Sequence, residues 1–279
     1  MNIQQTFVKA SIAGAVVLAG TIFSGCSDQD DASPAVPACL PTTIPAEIGD
    51  DDYLQVSYNA SGKPAKVSYP DDPQQAHDIS YDEQNRLVAI GTEADEFYYT
   101  FEYTNDEIKE TGYYEKGGSY TFDDFTIYKT DEQGRIVTRT HYELEDGGTE
   151  KGTTEEYVYD ERGNIIKVID TDSEGEIDIT LMTYDDKVNP FRTLGFMIDY
   201  GGLFNFITLS QNNLVSYQSG EDDTTPDRIS YEYDEMGNPV KLVYEARYRS
   251  QEYDSEGNKV GEPKEVVETY ENSIVFTCQ

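Results

Sequence analysis

From Tyr53 onward, apolar and polar positions alternate in short runs that small polar residues interrupt. Leu54, Val56 and Tyr58 fall on one face, Asn59-Ala60-Ser61-Gly62 turns the chain, and Ala65 and Val67 resume the pattern. A period of two marks strands with one buried face. The clearest copy is Tyr159-Asp160-Glu161-Arg162-Gly163-Asn164-Ile165-Ile166. There Tyr157 and Tyr159 alternate, Asp160 can bond its own backbone, and Gly163 supplies a positive φ. Related stretches begin at Tyr81, Thr130, Tyr233 and Tyr253. At the Tyr81 copy Asn85 replaces the glycine, which the left-handed region tolerates. Tyr103–Ile108 and Tyr270–Ile274 share a tyrosine, an asparagine two places on and a later isoleucine. Asn105-Asp106 and Asn272-Ser273 therefore read as tight hairpin loops, with Ser210–Leu214 as a looser relative. The pattern predicts an all-β fold, an antiparallel meander of repeated β-hairpins forming a curved, twisted sheet. One domain is expected over residues 49–279.

The alternation fails between Asn189 and Ile207. Asn189 suits a cap, and Pro190 suits a first helical position. Gly201-Gly202 would stop a long helix. The expectation is a short helical or irregular insert near 189–207 that plugs the open apolar face of the sheet.

The first 48 residues read differently. Lys9 precedes a short apolar run, Ala10–Phe23, too short to stay as a membrane span. Phe23-Ser24-Gly25-Cys26 follows and resembles the lipobox of bacterial lipoproteins. That resemblance implies a signal peptide over 1–25 and lipidation at Cys26. The acidic run Ser27–Asp31 resembles the surface-export signal of Bacteroidota lipoproteins; a plain solvated tether is the alternative. Pro34, Pro37, Pro41 and Pro45 make residues 26–48 an extended acidic, proline-rich linker. Tyr-Asp-x-x-Gly-Asn/Arg resembles the YD repeat of Rhs and teneurin-type proteins, whose repeats build a continuous coiled sheet. With the lipobox, Asn189-Pro190-Phe191 and Ser210–Leu214, the chain resembles Bacteroidota lipoproteins with degenerate YD-repeat-like hairpins. The resemblance implies an all-β fold in the cell envelope, lipid-anchored at the outer membrane and exposed at the cell surface if the export signal acts. It implies no established activity.

Charge and candidate chemistry narrow this only partly. With 55 acidic against 20 basic residues the formal net charge is −35. Such a surface repels nucleic acid, which is excluded as a partner. The membrane is reached through the lipid, not through protein charge. Asp170, Asp172, Glu174 and Asp178 place oxygens at alternate positions around Gly175, as a calcium loop does. Leu181 stands where such a loop needs a bidentate glutamate, so the alternatives are a weak Ca²⁺ site and an ordinary acidic turn. No other cofactor is implied. Cys39 and Cys278 remain once Cys26 carries lipid, either paired as a disulfide or as separate thiols. His77 and His141 are the only histidines and lack a nucleophile or ligand at useful spacing. The expected role is non-enzymatic, a binding or scaffold module that meets another envelope protein or a glycan. Twenty-three tyrosines motivate the glycan alternative, because ring faces can stack on sugars. A hydrolase using paired carboxylates is the further alternative.

Overall fold

The computed structural model describes residues 39–46, 48, 52–70, 72–92, 95, 97–115, 120–145, 148–194, 204–220, 225–253 and 256–278. Cys26, the leader and Gly201-Gly202 lie outside them. The strands are β1 (Cys39–Pro45), β2 (Tyr53–Tyr58), β3 (Pro64–Tyr69), β4 (Asp72–Tyr81), β5 (Leu87–Ile90) and β6 (Phe97–Tyr103). They continue as β7 (Glu107–Glu115), β8 (Tyr120–Thr130), β9 (Ile136–Glu145), β10 (Gly148–Tyr159), β11 (Ile165–Thr171) and β12 (Ile177–Val188). After the insert come β13 (Asn212–Ser219), β14 (Asp227–Tyr233), β15 (Pro239–Tyr253), β16 (Lys259–Ser273) and β17 (Val275–Cys278).

The 17 strands among the described residues belong to one antiparallel sheet in which each strand from β1 to β15 pairs with the next. Ile274 alone separates β16 from β17. The last stretch of chain therefore pairs with β15 along its length and with β1 at its end, Cys39 opposite Cys278. Because β1 also pairs with β2, the ladder of neighbours returns to its first strand, as in a barrel-like sheet. A Cys39–Cys278 disulfide lies on this seam.

The turns follow one physical plan. Asp82, Asp131, Asp160 and Asp234 each accept, on Oδ1, the backbone N–H groups two and four residues on, at 2.8–2.9 Å. Asn59 does the same for Ser61 and Lys63. Three places after each comes a residue with positive φ: Gly62, Asn85 at 61°, Gly134, Gly163 and Gly237. At Gly163 a Cβ would also stand 2.9 Å from Gln211 Cγ, so both backbone and space require glycine. In an antiparallel meander alternate connections share an end. These five turns, the Thr104–Glu107 loop and the insert all join an even strand to the odd strand after it, and so lie together.

Tyrosine closes the plan. Tyr58, Tyr159, Tyr184 and Tyr231, near the ends of even strands, donate their hydroxyls to the carbonyls of Pro41, Ile136, Ile165 and Leu214 at 2.6–2.9 Å. Each ring enters the core while its hydroxyl meets a carbonyl near the start of the neighbouring odd strand. The core runs through Val56, Val67, Phe101, Tyr128, Ile165, Leu214 and Leu242.

The insert forms a 3₁₀ turn (Pro190–Leu194) and helix α1 (Phe204–Leu209). Phe191, Leu194 and Ile207 join the core, so the expected plug is present. Asn189 caps the turn by accepting the Phe191 N–H at 2.9 Å. Its Nδ2 donates to the carbonyls of Ser210, at 3.0 Å, and Ile207, tying both ends of the insert together.

Two expectations fail. Asn272-Ser273 is no hairpin loop: β16 runs straight through it, with Asn272 opposite Leu242 and Ser273 opposite Lys241. A long strand partner outweighs a local turn signal. The sheet also begins within the stretch that reads as linker, because Cys39–Pro45 is largely buried as β1. Proline fits extended backbone, and its missing N–H is tolerated at the irregularity after Pro41 and at the strand end, Pro45.

Candidate functional site

The end of the sheet that gathers the aspartate turns holds a cavity of about 600 Å³. The turns at Asn59, Asp82, Asp131 and Asp160 and the insert supply its walls. Ile79, Leu87, Ile108, Ile136 and Leu194 give it an aliphatic lining. Gln133, Gln211, Thr193 and Thr208 add amides and hydroxyls, and Lys63, Arg86, Arg135 and Arg192 add charge.

Lys63, Arg86 and Arg135 hold equivalent positions, four residues after the turn residues Asn59, Asp82 and Asp131. Each reaches over the tyrosine that ends another even strand. Lys63 Nζ lies 5.0 Å from the Tyr81 ring centre, Arg86 Cζ 4.7 Å from that of Tyr103, and Arg135 Cζ 4.5 Å from that of Tyr159. A cation over a ring face is attracted by its quadrupole, which fixes the guanidinium planes. Burial pushes the Tyr81, Tyr103 and Tyr159 hydroxyls up to about 12, so the rings stay neutral at physiological pH. These ring faces carry cations and do not stand open for sugar stacking.

The turn aspartates stand behind the two arginines. Arg86 Nη2 lies 2.7 Å from Asp82 Oδ2, and Arg135 Nη2 2.7 Å from Asp131 Oδ2. Both Nε atoms donate to the same oxygens, at 2.7 and 2.8 Å. The Arg86 backbone N–H chiefly holds Asp82 below the usual carboxylate range. Desolvation pushes Asp131 upward, but the Arg135 backbone and side-chain donors outweigh it. Asn164 and Asn238 occupy the same place in two other turns and brace Asp160 and Asp234 with Nδ2, at 3.1 and 2.9 Å. Arginine and asparagine thus do the same structural work, but arginine brings surplus donors. Arg192 Nη1, from the insert, donates to Gln211 Oε1 at 2.6 Å.

No protein-family model matches this sequence, and no curated protein does. Among solved structures the chain is similar to a porin-like protein from Bacteroides vulgatus, at 14% identity and TM-score 0.47, over 85% of this chain and 98% of that one. It is similar to a porin-like protein from Bacteroides uniformis, at 12% identity and TM-score 0.39, over 86% and 95%. It is also similar to TcdB2-TccC3, at 9% identity and TM-score 0.25, where 84% of this chain covers 16% of that one.

The residues singled out from the sequence lie elsewhere. Asp170 on β11 stands opposite Asp178 on β12 and opposite Glu155 on β10. Burial, then Glu155 and Asp178, push the Asp170 carboxyl up. Asp172 commits Oδ1 to the N–H groups of Glu174 and Glu176, both at 2.9 Å, as in the other turns. Glu174 and Asp178 are exposed. Among the described residues no three acids, histidines or cysteines converge as a metal would need. Glu155 is engaged by Arg139 at 3.2 Å and by the Tyr157 hydroxyl. The sequence reading missed the four cations. The signal for three of them was a basic side chain at one fixed place in successive repeats.

Proposed function

We propose that this chain is a non-catalytic binding module of the cell envelope, carried on a lipid at Cys26, with its ligand held at the turn end of the sheet. One observation carries this: repeated hairpins bring equivalent side chains to a single cavity whose wall the insert completes. Its volume of about 600 Å³ lies in the small-ligand range of roughly 300–1,000 Å³. The described lining residues include no Asp, Glu, His or Cys, the side chains from which most nucleophile–base pairs are built. The lipobox and the proline-rich stretch behind it support the anchor.

Two measurements test the proposal. Radiolabelled palmitate is expected to enter the wild-type chain and not Cys26→Ala; equal labelling of both would refute the anchor. Octanamide, titrated by calorimetry into the detergent-solubilised chain with micelle heats subtracted, is expected to bind at one site. Gln133→Trp, on the exposed turn that lines the cavity, is expected to weaken it at least fivefold. Undiminished binding to Gln133→Trp, or none to the wild type, would remove the cavity as the site.

A further inference from the structure

The chemistry of the cavity departs sharply from that of the chain. The described residues lining it include four of the 20 basic residues and none of the 55 acidic ones. Two of these cations, Lys63 and Arg192, have no carboxylate at ion-pair distance among the described residues. Lys63 Nζ donates to the Asn85 carbonyl and Arg192 to the Gln211 amide, both uncharged acceptors. Arg86 and Arg135 commit Nε and Nη2 to their turn aspartates. Nη1 of each has no protein acceptor among the described residues. A guanidinium clamped on one edge and stacked on a ring keeps its remaining donors in a fixed direction. Such donors lose little freedom when an anion arrives, and a charge-assisted bond is about twice as strong as a neutral one. Aliphatic side chains complete the lining.

We infer that the cavity selects organic anions, molecules with a carboxylate or phosphate head on an apolar body. The inference rests on the proposal that this cavity binds a ligand, and deepens it by naming the class. The repeat makes the selection possible at no cost to the fold. Its fifth position must brace the turn aspartate, which asparagine does at Asn164 and Asn238. Arginine at Arg86 and Arg135 braces it and leaves charge facing the cavity.

The same comparison supplies a variant that keeps the turn. Octanoate, octyl phosphate and octanamide, titrated into the full chain as above, share one apolar body and differ in the head. The anions are expected to bind about tenfold or more tightly than the amide. Whichever anion binds tighter separates a free carboxylate from a lipid-type phosphate as the source. Arg86→Asn/Arg135→Asn is expected to lower anion affinity about tenfold and leave octanamide within twofold. Gln211→Glu, which sets a carboxylate against Arg192 without removing a cation, is expected to do the same. Equal binding of anions and amide to the wild type would overturn the inference and leave the binding proposal standing, as would an unchanged preference in both variants. No binding by any of the three would bring down both.

Discussion

A chain carrying Cys39→Ser and Cys278→Ser is expected to unfold about 2–5 kcal/mol more easily than the wild type in urea. The disulfide joins residues 239 apart, so it removes a large share of the freedom of the unfolded chain. Its position adds to the effect. Only four register pairs join β1 to β17, from Cys39–Cys278 to Thr43–Val275, against twelve between β15 and β16. The seam that completes the ladder is therefore held by far fewer pairs than the long hairpin beside it, and the covalent bond lies at the end of it. Reductant should bring the wild-type midpoint to that of the double variant and leave the variant unmoved. Coincident midpoints for wild type and variant under oxidising conditions would show that the pairings hold the seam alone.

Phe191→Ala is expected to cost about 3–5 kcal/mol, the range for a large aromatic removed from a packed interior. Phe191 is 2% exposed and belongs to the same core cluster as Ile165, Ile207 and Leu214. The segment around it cannot swing aside to fill the space, because Asn189 ties it to the carbonyls of Ile207 and Ser210. Ser210 in turn accepts the Ile165 N–H at 3.1 Å and donates to the Tyr184 hydroxyl at 3.0 Å. Asn212 and Asn164 exchange two further bonds, at 2.8 and 3.0 Å. The insert is thus stitched to a turn and to two strands by buried, satisfied polar groups. A loss below about 1 kcal/mol, measured by urea unfolding with an unchanged m-value, would instead mark the insert as a detachable cover.

Much of this was legible locally. An aspartate that bonds backbone two and four residues on, followed by a left-handed residue, needs no distant partner. Asp160–Gly163 and Asp82–Asn85 accordingly behave as their letters suggest. The same logic misled at Asn272-Ser273, whose local pattern matches that of Asn105-Asp106. Thr104 N–H reaches the Glu107 carbonyl at 2.9 Å and closes a loop there, whereas Leu242 and Lys241 hold Asn272 and Ser273 extended. Cys39–Pro45 misled in the other direction, since its prolines resemble a linker until β2 and β17 flank it.

By itself, the sequence determined that the chain is a train of tyrosine-rich hairpins and where most of them turn. Period-two alternation and left-handed residues act within a few positions of themselves. Only the tertiary structure decided that the last strand meets the first, and that Lys63, Arg86, Arg135 and Arg192 share one cavity. In a chain of net charge −35, a basic residue at one fixed place in the repeat shows its meaning only once the sheet curls round and gathers three of them, with Arg192 of the insert, about a cavity whose described lining holds no acid.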